Sequence, residues 1–331
     1  MAVLGAGSWG VTAARHLSEI GHDVCLWEHD AQAADQLTRN REIPDKLPGI
    51  RLPDSIKVTH DITVAVSRAT AIVFVVPSTA IPVTADLVRS ASTSAATIVS
   101  LTKGIDVESG ERMTEIIAER LKRNDIVALV GPSHAEEVAR DVPTALVAAS
   151  ADPSAAVRAQ QLFTSERLRV YTSDDVIGVE LGAALKNIVA IAAGIVDGLG
   201  YDSADNLKGA LITRGLAEIT RLGVRMRARP ETFAGLSGIG DLVTTCLSRH
   251  SRNRHVGEQI GRGRTLADIL AQMSMVAEGV NTTRAALRLA ERLDVDMPIA
   301  RAVGSVLFDG RAPRDALGEL MARPLQPEIR R

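Results

Sequence analysis

Along the first half of the chain, short apolar and β-branched runs alternate with stretches whose apolar positions recur every three to four residues. The runs fall at 1–4, 23–27, 56–59, 71–76, 97–101, 126–130, 144–149 and 168–171. Helix-like segments lie between most of them, among them 11–20, 111–122 and 153–163. Strands alternating with helices predict an α/β fold of βαβ crossovers, with a doubly wound, mainly parallel sheet covered on both faces. The run Ala71-Ile72-Val73-Phe74-Val75-Val76 is apolar throughout, as a strand buried on both faces requires.

After Tyr171 the strand-like runs stop, and helical periodicity rich in Ala, Leu, Arg and Glu takes over. Thr172 or Ser173 is expected to cap a helix that opens at Asp174 and Asp175, where negative charge meets the positive end of the dipole. That helix is expected to run to about Asp197, followed by helices at 207–223, 256–261, 265–273, 279–293, 299–308 and 313–322. The pattern divides the chain into a sheet-and-helix domain over 1–173 and an all-α C-terminal domain over 174–322, with 323–331 as a mobile tail.

A length of 331 residues suits two such domains, each able to bury its own core. Thirty-eight basic against 40 acidic residues leave a net charge of −2, which gives no broad field for nucleic acid or an anionic membrane. Only 2 Trp, 2 Tyr and 4 Phe are present, too few for base-stacking platforms. No run of apolar residues reaches membrane-spanning length, and no basic segment precedes an apolar one at Met1-Ala2-Val3-Leu4-Gly5, so the cytoplasm is expected. Cys25 and Cys246 stand far apart, which excludes a disulfide framework, and no His/Cys/Asp cluster has metal-ligand spacing. The Ala- and Leu-rich helical half offers a surface for a homodimer.

Gly5-Ala6-Gly7-Ser8-Trp9-Gly10 follows the first strand directly and opens the first helix. In that setting a GxGxxG is the phosphate-binding turn of a Rossmann-type dinucleotide fold. Gly5 allows the tight turn, Gly7 lets backbone approach a pyrophosphate, and Gly10 lets helix and strand pack closely. Glu28 ends the second strand at about the distance where an acidic residue accepts hydrogen bonds from the adenosine ribose. A carboxylate there repels a 2′-phosphate and favours NAD over NADP, although neighbouring His29 reads either as favouring a phosphate or as edging the adenine, and Glu28 also reads as a solvated charge at a strand end.

Polar clusters interrupt otherwise apolar surroundings at Val76-Pro77-Ser78, Thr102-Lys103-Gly104, Gly131-Pro132-Ser133-His134-Ala135-Glu136, Leu185-Lys186-Asn187, Gly238-Ile239-Gly240-Asp241 and 248–253. The first three follow strands and so belong at the carboxyl edge of the sheet, where open α/β folds bind ligands. The others must cross from the helical half, making a cleft between domains their natural meeting place.

In the order and spacing of these motifs the chain resembles the bacterial type of NAD(P)-dependent glycerol-3-phosphate dehydrogenase. Further matches are Leu-Pro-Gly-Ile-Arg-Leu-Pro (47–53), the stretch from Val170 to Gly182, Leu-Ile-Thr-Arg-Gly-Leu-Ala-Glu (211–218), Gly-Asp-Leu-Val-Thr-Thr-Cys (240–246) and Ser-Arg-Asn-Arg (251–254). The resemblance implies reversible reduction of dihydroxyacetone phosphate to sn-glycerol 3-phosphate, a precursor of glycerophospholipids. It implies Lys186 as catalytic acid/base and Lys103 as a second lysine on the reacting oxygen. It also implies substrate contacts from Gly131, Ser133, Asp241, Ser251, Arg252 and Asn253, and cofactor contacts from Ser8, Trp9, His29, Lys103, Ala135, Arg252, Val276 and Glu278. The chain departs from the family in carrying Glu28 where a small residue is common, and in a first strand shortened by about two residues.

Taken alone, several of these residues read otherwise. Lys186 serves as acid or base only if its pKa falls from about 10.4 toward neutrality, and lysines commonly snorkel from helices instead. Arg252 suits a dianionic phosphate, yet arginine-rich loops are usually solvated. His134 reads as a helix-start residue, Asp241 as a hydroxyl contact or helix cap, and Glu180, on another face from Lys186, has no role. Two other classes remain open: a β-hydroxyacid dehydrogenase or ketol-acid reductoisomerase relative, and a regulator that senses a dinucleotide without turnover.

Overall fold

The computed structural model describes residues 1–91, 95–273, 275–325 and 327–328. Residues 326 and 329–331 of the expected tail lie outside the described residues.

The first half builds β1 (Ala2–Leu4), α1 (Ser8–Glu19), β2 (Cys25–Trp27), α2 (Ala31–Asn40), β3 (Lys57–Thr59), α3 (Ile62–Val66) and β4 (Ala71–Phe74). It continues with α4 (Ile81–Ala91), β5 (Thr97–Ser100), α5 (Met113–Leu121), β6 (Val127–Val130), α6 (Ala135–Val138), β7 (Thr144–Ala149), α7 (Pro153–Phe163) and β8 (Leu168–Ser173). The eight strands form one sheet in the order β3-β2-β1-β4-β5-β6-β7-β8. All neighbours run parallel except β6 and β7, which are antiparallel. Leu4 pairs with Trp27 on one side and Phe74 on the other, so β1 is the point where the chain's winding reverses. Ligands of such sheets bind outside the carboxyl ends of the strands at that point.

The second half comprises α8 (Val176–Gly198), α9 (Asp205–Arg225), α10 (Asp241–Leu247), α11 (Arg252–Gly261), α12 (Leu266–Gln272), α13 (Glu278–Arg292), α14 (Pro298–Phe308) and α15 (Pro313–Met321). The sequence reading did not include α10, several limits shift by one to three residues, and two helix starts differ for identifiable reasons. Thr172 and Ser173 belong to β8, and the cap of α8 is Asp175, whose carboxylate accepts from the Gly178 N–H at 3.0 Å. Helix α11 starts at Arg252, because Ser251 accepts from the Arg254 N–H and begins the helix before its apolar stripe does.

Helix α8 is the axis of the helical half and is buried continuously from Gly178 to Val196. By length and composition it is apolar enough to cross a membrane, yet 89% of its most apolar window is buried inside the protein. It is a core helix, and α11 lies directly on it. A Cβ at Gly194 would stand 1.9 Å from the Arg254 carbonyl oxygen, and one at Gly257 1.9 Å from that of Ile191, so glycine permits the contact. The start of α8 docks on the sheet, with Val179 and Ala183 packed against Ala128, Val130, Val147 and Ala149. Burial of a valine side chain contributes roughly 1.5–3 kcal/mol. The seam is therefore held substantially by apolar contact.

Candidate active site

Lys103 stands on the loop after β5, Gly131 and Ser133 on the loop after β6, Lys186 midway along α8, and Asp241 at the start of α10. The fold brings them together. Lys186 Nζ donates to Asp241 Oδ1 at 2.5 Å, and Lys103 Nζ donates to Asp241 Oδ2 at 2.7 Å and to the Gly131 carbonyl at 2.9 Å. Asp241 thus holds one lysine on each carboxylate oxygen, which makes it a bridge between the halves.

The Asp241 and Lys186 side chains are only 2% and 6% exposed, while that of Lys103 is 19% exposed. Burial pushes the Lys186 ammonium down to about 8, with Lys103 pushing the same way and Asp241 opposing. Burial works to raise the Asp241 carboxyl, but Lys103 and Lys186 overcome it and hold Asp241 below its ordinary range. A lysine that titrates near 8 can give or take a proton at neutral pH, which an exposed lysine does poorly.

Sequence reasoning did not single out two residues here, one inside this cluster and one beside it. Thr245, one turn after Asp241 on α10, accepts a hydrogen bond from Lys186 Nζ and donates to the Asp241 carbonyl. Asn187 accepts from Asn253 Nδ2 at 2.9 Å, and Asn253 Oδ1 accepts from the Gly279 N–H at 2.9 Å, a chain that ties α8, α11 and α13 together. Both lay inside quoted motifs, and the i, i+4 spacing of Asp241 and Thr245 was the available signal. The Asn253 side chain is committed to this chain of bonds. What Asn253 can offer an anion is its backbone N–H in the first turn of α11.

Ser251, Arg252 and Asn253 therefore form a helix N-terminus, with Ser251 as its cap. The Arg252 guanidinium donates to the Val276 carbonyl at 2.8 Å and remains exposed. Glu278, opening α13, reaches the other half, accepting from the Ser78 N–H at 3.1 Å and the Ser78 hydroxyl at 2.6 Å. Ser8 donates to the Lys46 carbonyl, and Trp9 Nε1 to the Ser133 carbonyl at 2.8 Å, linking the glycine turn to the β6 loop. Ala135 opens α6, and His134 is its cap residue. Burial, with Lys186 and Lys103 adding to it, takes His134 down to about 4, so its ring is neutral. Among the described residues no three His, Cys, Asp or Glu side chains group as metal ligands.

The glycine turn fits a dinucleotide. Gly5 adopts φ +110°, and a Cβ at Gly10 would stand 1.7 Å from the Gly5 carbonyl oxygen. Gly7 caps α1 without a side-chain bond, and nothing lies within 4 Å of where a Cβ would stand there, which suits a backbone that a phosphate must approach. At the far end of this edge, Glu28 Oε1 lies 2.6 Å from His29 Nδ1 and accepts from the Asp30 N–H at 3.2 Å.

Comparison with known proteins agrees with this architecture over the whole chain. Residues 1–156 match the N-terminal family model of NAD-dependent glycerol-3-phosphate dehydrogenase and residues 175–318 match its C-terminal model. The glycerol-3-phosphate dehydrogenase (NAD(P)+) of Prosthecochloris aestuarii is 49% identical over 330 residues, covering 99% of each chain. That of Lysinibacillus sphaericus is 49% identical over 330 residues, covering 99% of this chain and 97% of the other. The crystal structure of glycerol-3-phosphate dehydrogenase from Coxiella burnetii superposes with a TM-score of 0.92 at 34% identity, covering 97% of this chain and 98% of that one. With its glycine turn, its two-lysine cluster and this full-length likeness, the chain belongs to the NAD-dependent glycerol-3-phosphate dehydrogenase family.

Proposed function

We propose that this protein catalyses reversible hydride transfer between NAD(P)H and dihydroxyacetone phosphate, giving sn-glycerol 3-phosphate for glycerophospholipid synthesis. The observation that carries this reading is the buried Lys186–Asp241–Lys103 bridge beside the glycine turn. The bound nicotinamide supplies or accepts the hydride. Lys186 holds the proton that the substrate's C2 oxygen gains on reduction and loses on oxidation. Lys103 places a second positive charge beside that oxygen, where negative charge develops as the carbonyl is reduced. Asp241 fixes both ammonium groups. Of the three protons on Lys186 Nζ, Asp241 and Thr245 engage two, which leaves one for the reacting oxygen.

The substrate phosphate is assigned to the start of α11, where Arg252 offers a fork of N–H groups and the helix end adds positive potential. Gly131, whose carbonyl accepts from Lys103, and Ser133 are assigned to the substrate as well. The cofactor is assigned to Gly5, Gly7, Ser8, Trp9, Gly10, Glu28, His29, Lys103, Ala135, Arg252, Val276 and Glu278. One Glu28 oxygen is engaged by His29 and Asp30, and the other is available to the ribose hydroxyls, which supports NAD over NADP. The proposed domain limits are 1–173 for cofactor and 174–322 for substrate. Two separated free cysteines are in keeping with a cytoplasmic enzyme.

Absorbance of NADH followed with dihydroxyacetone phosphate tests the reading. Turnover with the phosphorylated ketone, and little with unphosphorylated glycerone or with a 2-keto acid, is expected. NADH binding without turnover would instead assign the protein to dinucleotide sensing, and preference for a keto acid would assign it to a hydroxyacid enzyme.

A further inference from the structure

We infer that Glu180 is a positioning residue for the reaction, acting with Arg112 to set the relation between the Lys103 loop and the Lys186 helix. The inference rests on the reading that these two lysines flank the reacting oxygen. Sequence spacing gave Glu180 no role because it faces away from Lys186. That other face is where the first half of the chain meets α8.

Glu180 is buried, and three donors from one segment converge on it. The Thr114 N–H donates to Oε1 at 3.0 Å, while the Thr114 hydroxyl, at 2.6 Å, and the Arg112 guanidinium donate to Oε2. Arg112 is itself fixed by Glu115, which accepts from its backbone N–H at 2.9 Å and from its guanidinium at 2.6 Å. Burial pushes the Glu180 carboxyl up, and Arg112 and Thr114 work against that push. Arg112 also pairs backbone to backbone with Ile105, closing a loop whose turn is held by Asp106. Ile105 stands two positions after Lys103.

The result is a closed circuit. Lys103 leads to Ile105, Ile105 pairs with Arg112, Arg112 holds Glu180, and α8 carries Glu180 to Lys186, which meets Lys103 again through Asp241. Ile105 packs in the same apolar cluster as Leu181, Leu185 and Ile188, so apolar contact already brings the loop to the helix. Apolar contact has no preferred direction. A carboxylate gripped by three donors does, and it fixes both the rotation of α8 and its height against the loop. Buried ion pairs add little to stability over apolar residues of similar size, which makes geometry the physical role left for this one.

The test compares Glu180→Gln with the paired variant Arg112→Met/Glu180→Met. Glu180→Gln is expected to lower kcat for dihydroxyacetone phosphate reduction about 10- to 100-fold, the effect of roughly an ångström of misplacement. NADH affinity by fluorescence should stay within about twofold. The fall of kcat with pH, set near 8 by Lys186, should move by about half a unit or more. The paired variant removes both charges and should recover the thermal midpoint while kcat stays low and the pH limb stays displaced. If Glu180→Gln lowers the thermal midpoint but leaves kcat and its pH limb unchanged below that midpoint, the role is structural and the inference fails. Native kinetics in the paired variant would overturn it equally. Lys186→Met is assayed alongside. Retained activity there sinks the reading of the site, whereas an inactive Lys186→Met with native kinetics in Glu180→Gln sinks this inference alone.

Discussion

The glycine turn is backbone from a single segment, while the polar cluster beside it is side chains from the β5 loop, α8 and α10, with Lys103 and Asp241 separated by 138 positions. The turn works through what is missing, since a Cβ at Gly10 would collide with its own loop. The cluster works through what is buried, since Lys186 in water would keep the ordinary pKa of lysine. One region can be written in six consecutive residues, and the other exists only once both halves have folded against each other.

The largest effect that separates them is expected from Lys186→Met. Loss of the acid/base should cut kcat by about 10²- to 10⁴-fold while the dissociation constant for NADH stays near native, because the glycine turn is untouched. Single-turnover kinetics with a parallel binding titration checks both halves of the statement. An NADH affinity that falls with kcat would show that the two regions are not independent.

Arg252→Ala comes next. Loss of charge-assisted hydrogen bonds to the substrate phosphate should raise KM for dihydroxyacetone phosphate about 10- to 100-fold. For glycerone, which has no phosphate, kcat/KM should change far less. Equal losses on both substrates would move Arg252 from the phosphate to the Val276 loop it also holds.

Glu28→Ser tests the turn's end of the cleft. Removing a carboxylate that repels a 2′-phosphate should raise kcat/KM for NADPH relative to NADH by about tenfold. No change in that ratio would assign Glu28 to the His29 contact alone.

The smallest effect lies outside both regions. Glu218 is buried under the start of α14, accepting from the Ile299 and Ala300 N–H groups, and burial pushes its carboxyl up to about 7 against those bonds. Its folded pKa is above its unfolded value. The associated stability is therefore complete below about 4.3 and lost as pH rises through 7. Glu218→Gln should raise the thermal midpoint relative to native protein progressively over that window, by a few degrees for about 1 kcal/mol. A difference that does not vary with pH would show that Glu218 does not titrate there.

The same contrast explains what could be read in advance. The succession of strands and helices along the chain and the glycine turn follow from periodicity and from Gly5, Gly7 and Gly10, which act locally, whereas the order of strands in the sheet was not read. Lys186, Lys103 and Asp241 were nameable from motifs and family resemblance. Their mutual hydrogen bonds were not, because nothing in a chain records which side of α8 will face α10. Asn187, Thr245 and Glu180 were passed over for that reason, each being an ordinary polar residue until the packing of α8 surrounds it. The cap of α8 was misplaced by two or three residues because Thr172, Ser173 and Asp175 are all good caps, and pairing with β7 drew the first two into the sheet.

The most direct measurement is kcat against pH in both directions on the native enzyme. If a buried Lys186 with a pKa of about 8 carries the proton, dihydroxyacetone phosphate reduction needs it charged and should fall above that value. Glycerol 3-phosphate oxidation needs it neutral and should rise through the same value. Two limbs that cross near pH 8 and vanish together in Lys186→Met are the predicted result. Parallel profiles in the two directions, or limbs that survive in Lys186→Met, would contradict it.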